Sequence, residues 1–156
     1  MVVLGSFTPP SSLEVEKTVV YENTTPITTQ KSIRYPIESY TLTQGFSVFH
    51  PGVDLAAPLG TPVYPIREGV VEDVSASRYA YGNAVLVNHG DGITSLYAHL
   101  SFTSVSPGDK VTTLTKLGGV GATGHATGPH LHLEVRRDNT PINPFAVLPS
   151  PASVIN

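Results

Sequence analysis

Short runs of apolar residues, divided by glycine, proline and polar positions, cover most of the chain after residue 33. The runs at 69–74, 84–89, 93–100 and 130–135 are rich in valine, isoleucine and leucine. Runs of this length and composition are typical of β-strands. No segment keeps an apolar period of about 3.6 residues over roughly ten positions, the pattern of an amphipathic helix. We therefore predict an all-β fold with little or no helix, in which antiparallel strands form a sandwich or a folded sheet.

Glycine-rich segments separate the later runs. Residues 90–92 (Gly-Asp-Gly) lie between the runs 84–89 and 93–100. A three-residue loop that contains glycine is typical of a β-hairpin, so these two runs are predicted to pair. A second glycine-rich stretch, 118–124, is predicted to be a loop that leads into the run 130–135.

The composition changes near residue 33. Serine, threonine and proline are crowded in residues 1–33, so this segment is predicted to be a linker or an extended arm. Residues 34–149 are predicted to form one domain, and residues 150–156 a C-terminal tail. The first residues lack the basic stretch and the full-length apolar stretch of a secretory signal. We therefore expect either a chain that is not exported or the soluble part of a longer precursor.

Composition and charge exclude several classes of protein. Only 13% of the residues are charged, and 14 glycines and 14 prolines interrupt the chain, which argues against coiled coils and helical bundles. The net charge of −3 provides no basic surface for a nucleic-acid backbone, so no nucleic-acid partner is expected. No apolar run reaches the roughly 18 residues of a membrane-spanning helix, so we predict no membrane segment in this chain. Because cysteine is absent, a transition metal would need histidine and carboxylate ligands.

Two of the six histidines share one predicted strand. Alternate residues of a strand lie on the same face, so His130 and His132 project side by side. Leu131 and Leu133 then point into the core, and Glu134 continues the polar row on the histidine face. The alternative is a solvated strand face that carries two incidental histidines.

His50 and Asp54 lie in a segment that cannot be a regular helix. Pro51 and Gly52 stand between them, and proline followed by glycine breaks a helix. The segment must bend, and the two side chains would then converge on one point from a loop that enters a strand. Taken alone, the pair is also explained as a turn that the aspartate stabilises.

His99 lies near the end of the run 93–100. The period of two places Tyr97 on the same face of the strand. A single histidine at such a position is usually structural. His89, beside the hairpin loop, and His125, in the glycine-rich loop, are both interpreted as structural or peripheral.

Taken together, these residues match the ligands of a catalytic zinc site. Two histidines and one carboxylate, with one open coordination position, are a common set for catalytic zinc. His50 and Asp54 would supply two of these ligands, and one residue of the pair His130 and His132 the third. The other residue of that pair, with His99, would stand beside the metal as an acid–base or hydrogen-bonding group. The chain has no His-Glu-x-x-His motif, so histidine must serve as the general base.

Three motifs in this chain resemble, in type and order, those of the lysostaphin/LytM-type zinc endopeptidases. They are HPGVD at 50–54, YAHL at 97–100 and TGPHLH at 127–132. Other stretches are similar to that family too, among them PGDKV at 107–111. The resemblance extends over about residues 36–148, and three motifs in order across one domain are highly specific.

The resemblance implies that His50, Asp54 and His132 bind Zn²⁺. It also implies that His99 and His130 form the catalytic pair, and that the β-sandwich carries a groove. The family's usual reaction is hydrolysis of peptide bonds in the cross-bridges or stem peptides of bacterial peptidoglycan, so the expected partner is a peptidoglycan peptide. We therefore expect an extracellular or cell-envelope location, within a longer exported or membrane-anchored protein.

Three other functions are alternatives. A catalytically inactive relative that binds and activates cell-wall amidases would have lost ligand residues, whereas the full set is present here. A phosphocarrier domain of the sugar phosphotransferase kind also places two histidines face to face, but it needs no Asp54. A purely structural β-domain would carry scattered histidines. Stoichiometric zinc that a chelator removes would favour the enzyme, and phosphohistidine would favour the carrier.

Overall fold

The computed structural model describes residues 32–150. The arm predicted at 1–33 therefore lies almost wholly outside the described residues, and so does the tail predicted at 150–156. Both stay predictions. The domain predicted at 34–149 lies within the described residues, and its bounds also stay a prediction.

Within the described range the chain forms short strands and one 3₁₀ turn. The strands are β1 (Thr41–Gln44), β2 (Val53–Ala56), β3 (Pro62–Val63), β4 (Gly69–Ser75), β5 (Asn83–Asn88), β6 (Ile93–Leu100), β7 (Phe102–Thr103), β8 (Lys110–Val111), β9 (Gly118–Gly119), β10 (His130–Arg137) and β11 (Thr140–Ile142), and the turn is Pro144–Ala146. The predicted all-β fold is confirmed. Among residues 32–150, no helix has the length and apolar character needed to cross a membrane.

The strands form two antiparallel sheets. In the larger sheet they lie in the order β1-β2-β10-β6-β5-β4-β8, and β11 pairs with β10. The smaller sheet has the order β3-β9-β7. In the larger sheet β10 lies between β2 and β6 and pairs with both in antiparallel register. The middle of this sheet therefore joins an early strand of the chain to a late one.

One face of β10 packs into the hydrophobic core. Leu131, Leu133 and Val135 are completely buried. Tyr97 of β6 and Val85 of β5 belong to the same buried cluster. Burial of a side chain of this size stabilises the fold by about 1.5–3 kcal/mol. The predicted inward direction of the two leucines is confirmed, and the opposite face of the strand carries the polar residues.

The two glycine-rich segments behave differently. The predicted hairpin joins β5 to β6, where Asn88 pairs with Thr94. The segment 118–124, predicted to be a loop, instead begins with the strand β9. Gly118 runs so close to β7 that a Cβ atom there would lie 2.1 Å from the Phe102 carbonyl oxygen. Glycine at this position allows two strands to approach, which the composition alone does not distinguish from a loop.

Candidate metal centre

Strand pairing places Asp54 of β2 beside His132 of β10. The two residues are directly opposite each other in the antiparallel ladder, and opposite residues share a face of the sheet. His132 Nδ1 and Asp54 Oδ1 are 2.7 Å apart. The alternation that buries Leu131 and Leu133 therefore also brings an imidazole and a carboxylate into contact across 78 positions of sequence.

His50 reaches the same point from a tight turn before β2. Backbone hydrogen bonds in both directions between Ser47 and His50 close this turn. The ring is oriented because its Nδ1–H donates to the Gly45 carbonyl at 3.0 Å. Its Nε2 then lies 3.3 Å from Asp54 Oδ1. The bend predicted from Pro51 thus brings both side chains to one point.

Three donor groups converge closely enough to hold a metal ion. One donor atom from each of His50, Asp54 and His132 lies within 4.8 Å of the other two. Imidazole nitrogen and carboxylate oxygen are zinc donors, and three of them leave one coordination position open. His130 Nε2 is farther from the shared carboxylate, at 3.8 Å from Asp54 Oδ1. The chemistry and the spacing of the donors both fit zinc.

A β-bulge near the end of β6 carries His99. Asn83 pairs with Leu100, and Val85 pairs with Tyr97. Between these pairs β6 has one residue more than β5, which is the definition of a bulge. His99 lies in this interval with a φ angle of 61°. That is the left-handed region, which residues other than glycine rarely adopt.

The bulge makes one prediction wrong. Tyr97 and His99 do not share a face, because the extra residue breaks the alternation between them. Tyr97 is fully buried in the core, and its hydroxyl accepts a hydrogen bond from the Ile66 amide at 2.8 Å. The ring of His99 instead packs against that of His130, with 4.8 Å between the ring centres.

Backbone carbonyls orient this second pair of rings. Nδ1–H of His99 donates to the Thr123 carbonyl at 2.8 Å, and Nδ1–H of His130 donates to the Gly128 carbonyl at 2.8 Å. In a neutral ring held this way, Nε2 is the nitrogen that can accept a proton. Burial lowers the pKa of His99, and the nearby ring of His132 contributes to the shift. The neutral form of His99 is therefore favoured.

All five residues predicted for the site line one cleft of about 350 Å³. The lining residues are His50, Asp54, His99, His130 and His132, together with Gln44, Ala80, Tyr81, His125, Ala126 and Thr127. His125, predicted to be structural or peripheral, lies exposed at this cleft. His89 lies elsewhere, and its ring nitrogens contact the Glu68 carbonyl at 2.8 Å and Ser95 Oγ at 2.7 Å. That is the structural role predicted for His89.

A known family model covers most of this cleft, including all five residues predicted for the site. The model described as peptidase family M23 matches residues 48–144. The chain belongs to peptidase family M23. The matched region runs from before His50 to beyond His132 and so contains every residue predicted for the site. The predicted resemblance to the lysostaphin/LytM type is confirmed.

Relatives of this M23 domain include named peptidases. The DD-carboxypeptidase/endopeptidase Mpg of Neisseria gonorrhoeae is 47% identical over 103 residues, which are 65% of this chain and 24% of that protein. The peptidoglycan DD-endopeptidase ShyA of Vibrio cholerae is 42% identical over 106 residues, which are 67% of this chain and 24% of that protein. The crystal structure of a zinc-containing peptidase from Vibrio cholerae matches with a TM-score of 0.68 at 35% identity, covering 73% of this chain and 39% of that one. The chain thus spans about a quarter of the length of the curated relatives it matches.

The sequence did not reveal a buried carboxylate behind the site of this M23 domain. Glu134 lies on the predicted histidine face but is completely buried, so the alternative of a solvated face is wrong. Its Oε1 accepts hydrogen bonds from His132 Nε2 at 3.1 Å and from the Tyr81 hydroxyl. Its Oε2 accepts from Arg136 Nε at 3.0 Å and from Arg136 Nη2 at 2.6 Å. One feature of the sequence could have indicated this contact. Glu134 stands between apolar residues of a predicted core strand, and a buried charge needs hydrogen-bonding partners.

Two carboxylates on either side of His132 set the charge of the M23 site. Burial acts to lower the pKa of His132, but hydrogen bonds to Asp54 and Glu134 raise it to about 9. Burial acts to raise the pKa of both carboxyl groups, but the hydrogen bond from His132 and the other hydrogen bonds and nearby positive charges together outweigh it. The pKa of Asp54 is lowered, and that of Glu134, which Tyr81 and Arg136 also contact, is lowered to about 2. The site therefore favours a cation, either a proton or a metal ion.

Proposed function

We propose that this chain is a zinc metalloendopeptidase domain that hydrolyses peptide bonds of bacterial peptidoglycan, in the cross-bridge or the stem peptide. The observation that carries the proposal is a single cleft in which three metal donors converge and two further imidazoles stand beside them. Membership of peptidase family M23 supports the reaction class. The name of one relative, a peptidoglycan DD-endopeptidase, supports the substrate class.

His50, Asp54 and His132 are the residues that would hold zinc. His50 would bind through Nε2, because its Nδ1–H is engaged by the Gly45 carbonyl. His132 would bind through Nδ1, which already faces the carboxylate of Asp54. When bound, zinc supplies Lewis acidity, which polarises a peptide carbonyl and lowers the pKa of water from about 16 towards about 7. Asp54 offsets part of the positive charge that the cleft would then carry.

His99 and His130 would move the protons of the reaction. Burial lowers the pKa of His99, so the ring is neutral at pH 7 and its Nε2 can accept the proton of the attacking water. His130 packs 4.8 Å away, measured between ring centres. In its doubly protonated form, Nε2–H of this ring would donate a hydrogen bond to the developing oxyanion or its proton to the leaving amine. Each ring is already oriented by a backbone carbonyl, so little reorganisation is needed.

The proposed substrate also sets the proposed location. Peptidoglycan lies outside the cytoplasmic membrane, so the domain would act in the cell envelope or the extracellular space. Fractionation of cells that express the native gene with an epitope tag tests this. Product confined to the cytosol would contradict the location and, with it, the substrate.

Digestion of purified peptidoglycan tests the function. We expect the protein to carry one zinc per chain, measured by elemental analysis, and to release peptides with new amino termini, identified by mass spectrometry. Treatment with a chelator should abolish release, and added zinc should restore it. The variant His89→Gln, which changes a buried histidine outside the cleft, serves as the control and should retain zinc and activity.

The outcomes separate the alternatives. Full zinc without any released peptide would contradict the enzyme and favour an inactive module that activates amidases. Failure to bind zinc would overturn the metal site, and phosphohistidine formation on incubation with a phosphoenolpyruvate-driven phosphotransfer system would favour a phosphocarrier.

A further inference from the structure

Three of the four histidine rings predicted for the site are anchored in the same way. His50, His99 and His130 each donate Nδ1–H to a backbone carbonyl, at 3.0, 2.8 and 2.8 Å. Each of these rings therefore presents Nε2 to the cleft. His132 is reversed: its Nε2 faces Glu134 Oε1 at 3.1 Å, and its Nδ1 faces the cleft. Among these four rings, His132 is the one whose outer nitrogen contacts a carboxylate and not a backbone carbonyl. It would bind the metal through Nδ1, whereas His50 would bind it through Nε2.

The carboxylate that holds His132 is itself fixed from every side. Glu134 is completely buried. Besides His132, its oxygens accept hydrogen bonds from the Tyr81 hydroxyl and from two nitrogens of Arg136. A carboxylate with four donors in place cannot rotate without losing several of them. Glu134 therefore offers His132 an acceptor of fixed position.

Tyr81 and Gly52 lie close to the pair formed by His132 and Glu134. The ring of Tyr81 lies 5.7 Å from that of His132, measured between ring centres. On the chain that leads from His50 to Asp54, a Cβ atom at Gly52 would lie 3.0 Å from Glu134 Cγ and 3.0 Å from His132 Cε1. The pair formed by the imidazole and the carboxylate is thus packed between Tyr81 and a glycine.

Tyr81 contacts both the segment of His99 and the carboxylate of Glu134. Its backbone carbonyl accepts a hydrogen bond from the His99 amide at 2.8 Å, while its hydroxyl donates to Glu134. One residue therefore contacts both the bulge that carries His99 and the carboxylate behind His132.

We infer that Glu134, held by Tyr81 and Arg136, is a positioning residue for the metal ligand His132. By accepting Nε2–H it fixes the tautomer and the plane of the ring, so that the Nδ1 lone pair is directed at the metal. A carboxylate in this position also increases the basicity of the ligand nitrogen. The inference rests on the proposed zinc function and concerns the affinity for the metal, not a further chemical step.

Zinc affinity is the quantity that tests the inference. Glu134→Gln keeps the size of the side chain but removes its charge, and one end of the amide can only donate. Loss of such a partner typically weakens metal binding by about 10–100-fold, and we expect a rise in Kd of that order. Tyr81→Phe leaves the carboxylate in place and removes one of its donors, so a smaller rise, about 10-fold or less, is expected.

The controls separate positioning from general loss of stability. Tyr97→Phe removes a buried tyrosine hydroxyl of the core, which contacts Ser95 Oγ at 2.8 Å. It should lower the melting temperature without changing the zinc Kd. Glu72→Gln changes an exposed carboxylate on β4 that contacts Asn88 at 3.2 Å, and it should change neither quantity.

The measurement is competition between the protein and a chromophoric zinc chelator, with a melting curve for each variant. A nitrogen-15 spectrum of the zinc-loaded protein adds a second readout, because it reports whether His132 carries its proton on Nε2. If the wild type binds no zinc, the proposed function fails. If the wild type binds zinc and both Glu134→Gln and Tyr81→Phe bind it equally tightly, the positioning role is wrong.

Tyr81→Phe decides the question if Glu134→Gln does not fold. A zinc Kd raised in Tyr81→Phe and unchanged in Tyr97→Phe supports the inference. An equal rise in both variants would show that the affinity follows stability alone, and would overturn it.

Discussion

Two buried histidines lie towards opposite ends of strand β6, and only one of them belongs to the cleft. His89 contacts Ser95 near the start of that strand, and His132 pairs with Ala98 near its end. Each residue is only 5% exposed, and each ring has partners at both nitrogens. Burial and hydrogen bonding of a histidine therefore do not distinguish a structural residue from a proposed metal ligand.

The partners make the difference. His89 contacts a backbone carbonyl and a serine hydroxyl, which are neutral groups. His132 lies between the carboxylates of Asp54 and Glu134, and their hydrogen bonds raise its pKa to about 9. The two carboxylates beside His132 favour a positive charge on its ring. The two carboxylates that contact His132 are the feature that sets the candidate metal centre apart.

The largest loss of zinc and of activity should come from removing one of the three proposed metal donors. Asp54→Ala and His132→Ala should each lose zinc and reduce peptidoglycan cleavage to background, because each removes a metal ligand. His50→Ala should behave in the same way. His89→Ala should keep zinc and instead lose about 1–3 kcal/mol of stability, because it leaves buried partners unsatisfied. Elemental analysis and urea denaturation of each variant make the comparison.

A His132→Ala variant that retains full zinc while His130→Ala loses it would reverse the assignment of ligand and acid–base residue within that pair. Loss of zinc in His89→Ala would remove the distinction between the two buried rings.

A smaller effect is expected for His99 and His130, which are proposed as acid–base residues and not as metal ligands. His99→Ala and His130→Ala should keep one zinc per chain, and kcat should fall by about 10²–10⁴-fold, the usual contribution of an acid–base group. Turnover of a soluble cross-bridge peptide, with zinc measured on the same sample, checks this. A double variant that remains active would rule out the histidine acid–base mechanism.

The difference in charge also predicts a dependence on pH in the zinc-depleted protein. The pKa of folded His132 is raised from 6.5 to about 9, so its bound proton stabilises the fold. That contribution is complete below pH 6.5 and is lost as the pH rises through 9. The free energy of unfolding of the zinc-depleted protein, measured in urea, should therefore fall as the pH rises from 6.5 to about 9.

Zinc binding should show the opposite trend. The metal and the proton compete for Nδ1 of His132. The affinity for zinc should therefore rise, and the zinc Kd should fall, as the pH rises over the same interval. His89→Gln should retain both trends, whereas Asp54→Asn should weaken both. If the free energy of unfolding of the zinc-depleted protein does not change between pH 6.5 and about 9, the charged environment described for His132 is wrong.

The smallest predicted effect concerns the bulge at the cleft end of β6. His99 has a φ angle of 61°, which costs an L-residue about 1–2 kcal/mol relative to glycine. We expect His99→Gly to be more stable than His99→Ala by about 1 kcal/mol, after allowing for the greater freedom of glycine in the unfolded chain. Thermal denaturation of the two variants measures this. Equal stabilities would indicate that the bulge relaxes once the histidine is removed.

Part of the site could be predicted because Asp54, His130 and His132 lie on regular strands. Alternation in β10 places His130 and His132 on one face and Leu131 on the other, and the break at Pro51 frees the segment between His50 and Asp54 to bend. Local composition was sufficient for each of these inferences. The converging donors of the cleft are consistent with them.

The rest depended on contacts between distant segments. The bulge that carries His99 is created by a mismatch in pairing between β5 and β6, and a single sequence contains no direct signal for such a mismatch. Glu134 reads as one more polar residue of an alternating strand until Tyr81, 53 positions away, is placed against it. Gly118 looks like a loop residue until the strand of Phe102 is placed beside it.

The position of β10 in the sheet has a consequence for the order of folding. This strand lies in the middle of the large sheet but comes much later in the chain than its neighbour β2, so β2 and Asp54 are synthesised well before their partner. Bringing Asp54 to His132 closes a loop of 78 positions, at an entropic cost of about 4 kcal/mol by the usual logarithmic scaling. Metal donors separated in this way come together only after the chain has formed its most distant pairing. We therefore expect zinc to bind late in folding, and to slow unfolding much more than it accelerates folding.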